Sequence, residues 1–332
     1  MTIHWITFLL ASLAIIIAGV KLASFGEALG KRTGIGQGWI GLLFLATITS
    51  IPELTTTVTG AAINVPNIAV GNALGSNMFN VAIVAVMDIL LLGRGPFLVK
   101  VRSYHMISGG FAILLTTLVI LGIAVDPGVE ILGLSPISLI ILLTYLFGIF
   151  ILYRVEKREG VTELAEAGTM SLVRAVGGFL ICAAVIITAG VFLIHASKAI
   201  SVETGLSASF MGAILVAVVT SLPELSTSIG ALRIGAYDMI LGNLFGSNMF
   251  NILTVFVADV AFRRGAILAR LGIGKDDQLI VASLGIGLTA IAIIAIGYRS
   301  RRRVLGMGVD AALLLTAYLL GTYLIIYRGI NI

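Results

Sequence analysis

A polar stretch occurs twice in an otherwise oily chain, and its two copies stand in constant register. The first opens Thr49-Ser50-Ile51-Pro52-Glu53-Leu54 and closes Gly71-Asn72-Ala73-Leu74-Gly75-Ser76-Asn77-Met78-Phe79-Asn80. The second opens Thr220-Ser221-Leu222-Pro223-Glu224-Leu225 and closes Gly242-Asn243-Leu244-Phe245-Gly246-Ser247-Asn248-Met249-Phe250-Asn251. The offset is 171 at both ends (224 − 53 and 251 − 80). A constant offset marks an internal duplication, and the duplicated part is polar where its surroundings are not.

Those surroundings are 59% hydrophobic and only 11% charged over 332 residues, against about 25% charged in a soluble domain. Ten apolar segments are legible, at 3–20, 38–62, 67–92, 104–125, 133–153, 172–196, 208–232, 237–260, 278–297 and 304–327, each of a length that can cross a bilayer as a helix. Five precede the charged stretch Arg154 to Glu166 and five follow it. An odd number per half sends the two copies into the membrane from opposite sides. The expected fold is therefore an all-α integral membrane protein of ten transmembrane helices. It consists of two inverted five-helix repeats, residues 1–160 and 161–332, with helices 2 and 7 broken.

Loop charges orient it. Lys21, Lys31, Arg32, Arg94, Lys100, Arg102, Arg154, Lys157, Arg158, Arg174, Arg233, Arg299, Arg301, Arg302 and Arg303 belong to one set of connections; Lys198, Arg263, Arg264, Arg270, Lys275 and Arg328 belong to the other. The larger set is expected on the cytoplasmic side of the cell membrane, which leaves both termini extracellular. The net charge of +5 thus reflects topology, and no nucleic acid is expected as a partner. Cys182, the lone cysteine, lies in an apolar run and reads as a core residue. No cleavable signal is expected, because Lys21 and Glu27 follow the first run without a small-residue cleavage site. The glycines at 26, 30, 34, 36 and 38 read as a flexible first loop, lacking the strand and helix a phosphate loop needs.

The chemistry sits in the repeated stretch. Pro52 and Pro223 have no N–H to give, so the carbonyls of Ile48 and Val219 lose their helical partners and the helices should break in mid-membrane. A bare carbonyl in hydrocarbon costs several kcal/mol unless a hydroxyl or a cation satisfies it. One proline kink is ordinary in a membrane helix; two, each followed by glutamate, are not. A carboxylate near the bilayer centre costs about 2.5 kcal/mol or more, and no basic residue stands near Glu53 or Glu224 in its own segment. Two such groups imply bound cations or protons. Asn72, Ser76 and Asn80 share a helix face, as do Asn243, Ser247 and Asn251. Thr49, Glu53 and Thr57 share another, matched by Thr220, Glu224 and Ser228. Gly71 with Gly75, and Gly242 with Gly246, allow close helix contact. Every candidate ligand is a hard oxygen, which suits Na⁺ and Ca²⁺ and not Zn²⁺ or Cu⁺. Asp88 and Asp259 match at the same offset near membrane ends and read as loop anchors. His4, His105 and His195 lie near segment ends and read as incidental.

Both copies resemble the α-repeats of the calcium/cation antiporter superfamily, specifically its sodium/calcium exchanger branch of prokaryotic type. The paired Thr-Ser-x-Pro-Glu and Gly-Ser-Asn-x-x-Asn motifs carry the resemblance, which spans nearly the whole chain. It implies alternating access at four clustered ion sites, three Na⁺ against one Ca²⁺, and sliding of the first and sixth helices over the core. It also implies that Glu53 and Glu224 bind a central Ca²⁺ with Thr49 and Thr220, and that Asn80 and Asn251 flank a middle site. Ser50 and Ser76 would serve an inner Na⁺ site, Ser221 and Ser247 an outer one, and the carbonyls of Ala46 and Ala217 the remaining positions.

Three departures stand out. Asn251 replaces an Asp found in some members, Ile48 and Val219 replace a frequent glycine, and the large regulatory domain of animal exchangers is not expected. The expected substrates are Ca²⁺ and Na⁺ and the expected surroundings the lipid bilayer, with no cofactor and no obligate protein partner. Proton-coupled or K⁺-dependent exchange is the nearest alternative, although proton-coupled relatives usually carry a glutamate-histidine pair where this chain has Gly-Ser-Asn. A Ca²⁺ channel is an alternative of another class, against which the inverted duplication speaks. An intramembrane enzyme would need a nucleophile–base pair or an open metal site, and no His or Cys lies in the motifs.

Overall fold

The computed structural model describes residues 2–33, 36–91, 94–125, 130–131, 133–158, 170–204, 217–272 and 275–330. Its helices are α1 (Thr2–Thr33), α2 (Gln37–Thr49), α3 (Ile51–Ala62), α4 (Pro66–Leu90), α5 (His105–Ala124), α6 (Pro136–Arg158), α7 (Leu172–Thr204), α8 (Ala217–Thr220), α9 (Leu222–Arg233), α10 (Tyr237–Ala261), α11 (Lys275–Tyr298) and α12 (Val309–Ile330). Among the described residues, eight are long and apolar enough to cross a membrane, and α2 with α3 forms a further span bent by 44°. The expected seventh span, 208–232, begins outside the described residues, and the expected repeat boundary at 160 lies outside them.

Two expectations about the first connection change. The first helix does not end near residue 20 but continues to Thr33, which places Lys21, Lys31 and Arg32 on α1 itself. Gly26 and Gly30 are therefore helical, and Gly26 lets Leu45 and Ile40 approach its backbone. The run from Lys21 to Thr33 contains no proline, and only Gly26 and Gly30 weaken it, each at about 1 kcal/mol. Packing overrides that penalty.

The core is built on α4 and α10, the two most buried spans. α10 lies against α2 at backbone distance. A side chain on Gly41 would strike the carbonyl of Met239, one on Gly242 that of Gly38, and one on Gly246 that of Leu42. Only glycine permits this approach. In the first copy, Gly71 instead faces the side chain of Gln278. Outside this core α1 packs mainly on α7 and then on α9. Exposed Leu, Ile and Phe side chains on α1, α6, α7 and α12 form the surface that faces lipid.

Contacts among the loops sort them into two faces. On one, Arg32 donates to the carbonyl of Met170, Asp238 pairs with Arg102 and His105, and Arg299 donates to the carbonyl of Val101. On the other, Asp259 accepts from Ser135, Gln278 donates to Asn67, His4 meets Glu203 and Arg328 meets Asp277. The two ends of the described chain thus share a face. His105 is not incidental: it is wholly buried, and its Nε2 lies 3.1 Å from Asp238 Oδ1. The position equivalent to Asp238 in the first copy is Asn67, whose backbone carbonyl accepts from the Gln278 amide.

Asp88 and Asp259 are loop anchors. Asp88 accepts from the backbone N–H of Phe97 at 2.6 Å and of Gly308 at 2.7 Å. Asp259 accepts from Ile267 at 2.6 Å and Ser135 at 2.8 Å. Each ties the end of a core helix to two connections. Asp88→Ala strands two buried donors, and hydrogen bonds to a charged group contribute about 1.5–3 kcal/mol each. The expected result is a marked fall in the unfolding midpoint of the purified protein in detergent. Asp88→Asn, which keeps one acceptor oxygen, should lose about half as much.

Candidate functional site

Each broken helix stops at a serine. Ser50 has φ −89° and ψ 9°, and Ser221 has φ −89° and ψ 10°. The prolines lie two residues later, in the first turn of α3 and α9, where a missing N–H is harmless. The breaks thus fall two residues before the prolines, in mid-segment as expected. It creates two helix N-termini inside the protein, with Glu53 and Glu224 in their first turns. The positive end of each short helix favours a carboxylate there. The negative ends of α2 and α8 face the same region and favour a cation.

The two copies interlock by exchange. Ser50 Oγ donates to Glu224 Oε1 at 3.0 Å, and Ser221 Oγ donates to Glu53 Oε1 at 3.0 Å. Ser247 Oγ also donates to Glu224 Oε1, at 3.2 Å. Thr49 Oγ1 lies 3.4 Å from Ser247 Oγ, and Ser76 Oγ lies 3.4 Å from Thr220 Oγ1. Thr49 further donates to Asn243 Oδ1 or to the carbonyl of Leu45. Asn72 and Asn243 reach Thr57 and Thr227 respectively. All of these side chains are buried, and both glutamates have no solvent-exposed surface. Among the described residues no ion pair reaches either glutamate.

Asparagines 77 and 248 were not singled out as site residues, yet they organise the middle of the site. Asn77 Nδ2 donates to the carbonyl of Asn248 at 3.1 Å, and Asn248 Nδ2 to the carbonyl of Asn77 at 3.3 Å. Their side-chain oxygens accept the amides of the next pair: Asn80 donates to Asn248 Oδ1 and Asn251 to Asn77 Oδ1, both at 3.1 Å. The signal was present, since Asn77 and Asn80 are three apart and share a helix face.

The consequence is directional. With their N–H₂ groups held, Asn80 and Asn251 have their Oδ1 atoms buried and without a partner. So are Oε2 of Glu53, Oε2 of Glu224 and Oδ1 of Asn72. Five buried acceptor oxygens with no donor, two of them on the carboxylates themselves, form an arrangement suited to a bound cation or to protons. Of the remaining expected ligands, the Ala46 carbonyl already accepts from Ser50 N at 3.1 Å, and Ala217 opens α8. Thr227, which takes the place expected of Ser228, accepts from Asn243.

A buried anionic cluster of hard oxygens, set at the breaks of paired helices in a membrane-spanning bundle, defines a membrane cation transporter. The family model of the sodium/calcium exchanger protein matches residues 3–156 and 174–327, and the chain belongs to that family: it is an antiporter, not an enzyme. CaxA of Alkalimonas amylolytica is 27% identical over 344 residues, spanning 96% of this chain and 97% of its own. The sodium/calcium exchanger MaX1 of Methanosarcina acetivorans is 24% identical over 291 residues, spanning 76% and 81%. A solved structure of the sodium-calcium exchanger NCX_Mj soaked with Na⁺ and Ca²⁺ superposes with a TM-score of 0.72 over 97% of this chain and 98% of that one, at 19% identity. That likeness shows a shared fold.

Proposed function

We propose that this antiporter exports Ca²⁺ against an influx of Na⁺ by alternating access, and that the oxygen cluster between α2–α3 and α8–α9 is its transport site. The observation that carries the reading is the set of unpartnered oxygens on Glu53, Glu224, Asn80 and Asn251. Two carboxylates neutralise one Ca²⁺, and the amide oxygens complete a shell of the kind Ca²⁺ takes. Thr49 and Thr220 assist at the Ca²⁺ position. Ser50 with Ser76, and Ser221 with Ser247, serve Na⁺ on either side, with backbone oxygen from Ala46 and Ala217. The relatives support the choice of ions, since MaX1 is named a sodium/calcium exchanger and NCX_Mj was soaked with both.

The energetics permit it. With tenfold inward Na⁺ and 100 mV, inside negative, each Na⁺ releases about 3.7 kcal/mol. Three Na⁺ against one Ca²⁺ leave about 6.5 kcal/mol after the outward charge movement, enough for a Ca²⁺ gradient of about four decades.

Proteoliposomes loaded in turn with Na⁺, K⁺ or acid, and given ⁴⁵Ca²⁺ outside, separate the readings. Saturable uptake driven by internal Na⁺ at clamped pH is expected. Uptake driven only by acid would make the coupling ion H⁺, and uptake without any counter-ion would make the protein a channel. The loop charges further support a topology with both chain ends outside the cell. A cysteine added at the C-terminus should react with an impermeant thiol reagent in intact cells; labelling only after lysis would reverse the orientation.

A further inference from the structure

The connection between α11 and α12 is a small exposed hairpin that contributes no residue to the oxygen cluster. β1 (Arg303–Val304) pairs antiparallel with β2 (Met307–Gly308), Arg303 opposite Gly308 and Val304 opposite Met307. Its two turn residues, Leu305 and Gly306, both have positive φ, 52° and 85°. A two-residue turn with both φ positive favours Asn-Gly or Asp-Gly, because short polar side chains and glycine tolerate the left-handed region. Here a leucine occupies the first position and is 90% exposed, beside Val304 at 48%. Leu305 is thus unfavourable twice over in water, in backbone conformation and in exposure.

The hairpin stands at the end of two neighbouring membrane helices. α11 finishes at Tyr298, itself 79% exposed, as interfacial aromatics are. Arg301, Arg302 and Arg303 follow, all exposed, and none has an ion-pair partner among the described residues. Arg303 and Lys100 flank Gly95, which adds a further cation to the patch. The base is rigid: Gly308 N–H is held by Asp88, Val309 N–H by the carbonyl of Arg302, and Arg299 reaches Val101 and Ser103. Basic residues at a membrane end set topology, but topology needs no apolar pair at the tip of a turn that disfavours leucine.

We infer that this hairpin binds anionic phospholipid headgroups, with Arg301, Arg302 and Arg303 on the phosphates and Val304 and Leu305 inserted beneath them. The occupant follows from charge complementarity, from the apolar tip and from the height of the loop, which two spanning helices hold at the membrane surface.

The full chain in nanodiscs tests this. Leu305→Cys, in a Cys182→Ala background, is labelled with an environment-sensitive fluorophore. Discs contain phosphatidylcholine alone, phosphatidylcholine with phosphatidylglycerol, or phosphatidylcholine with inorganic phosphate in the buffer, each with brominated acyl chains as quencher. A blue shift and strong quenching are expected with phosphatidylglycerol and not with inorganic phosphate. Replacing all three arginines by glutamine should weaken phosphatidylglycerol retention in native mass spectrometry by about a hundredfold, the factor three interfacial arginines supply. Leu305→Asn, which suits the turn better, should raise the unfolding midpoint in detergent yet lose lipid retention, so misfolding cannot mimic the result. A probe that stays in water and unquenched in phosphatidylglycerol discs overturns the inference. So does a triple variant that retains lipid as well as the unaltered chain, or an equal response to free phosphate.

Discussion

Glu53→Gln and Glu224→Gln should each reduce Na⁺-driven Ca²⁺ flux by a hundredfold or more, as expected if a buried charge loses about 3–5 kcal/mol with its partner. The two carboxylates are the only charges in the cluster, and each presents one oxygen with no partner. Replacing one leaves a divalent ion facing a single negative charge in a site that excludes water. Expression should survive, because glutamine is less costly to bury than glutamate. The serine exchange adds a finer expectation. Ser50 holds Glu224 and Ser221 holds Glu53, so Ser50→Ala should impair the glutamate of the opposite repeat. A calorimetric titration of Ca²⁺ into detergent-purified Ser50→Ala and Ser221→Ala should show similar weakening in both. Near-normal Ca²⁺ exchange by either glutamine variant would remove the central claim.

Asn251→Leu should abolish exchange at every pH, while Asn251→Asp should retain it in a pH-dependent way. The reason lies in how the side chain is held. Asn251 Nδ2 donates to Asn77 Oδ1, which leaves its own Oδ1 buried and without a partner. Leucine removes the oxygen and the donor together. A protonated aspartic acid reproduces both, donating O–H to Asn77 and offering its carbonyl oxygen inward. An ionised aspartate cannot donate, faces the Asn77 oxygen with like charge, and gives the empty site a third negative charge. Flux relative to the unaltered chain, measured from about pH 6 to 9, should therefore fall as pH rises. Normal transport by Asn251→Leu would make this residue packing. An aspartate variant inactive throughout would refute the held-amide account.

Much of this architecture is legible without coordinates, for physical reasons that can be named. Pro-Glu in the middle of an apolar run declares a helix break and a buried charge together, because neither the missing N–H nor the carboxylate is tolerable in hydrocarbon without compensation. The duplication then doubles the signal, and the odd helix count inverts it. Asp88 and Asp259 were readable as anchors from their matched places at membrane ends. What failed was local. α1 runs on to Thr33 through two glycines because its packing on α7 and α9 outweighs a propensity penalty. His105 looked incidental because its partner, Asp238, is remote in sequence.

Bilayer thickness, proline and buried charge act within a single segment, so the membrane fold and the inverted pair of breaks are readable from the residues alone. Only the tertiary structure decided how the oxygens are aimed. Ser50 serves the distant glutamate and not the near one, and Asn77 and Asn248 clasp each other's backbone and hold the amides of Asn251 and Asn80. Those bonds join residues about half the chain apart, and an amide side chain has two different ends. Which end is left without a partner depends on where the other finds an acceptor, and that acceptor belongs to the opposite repeat.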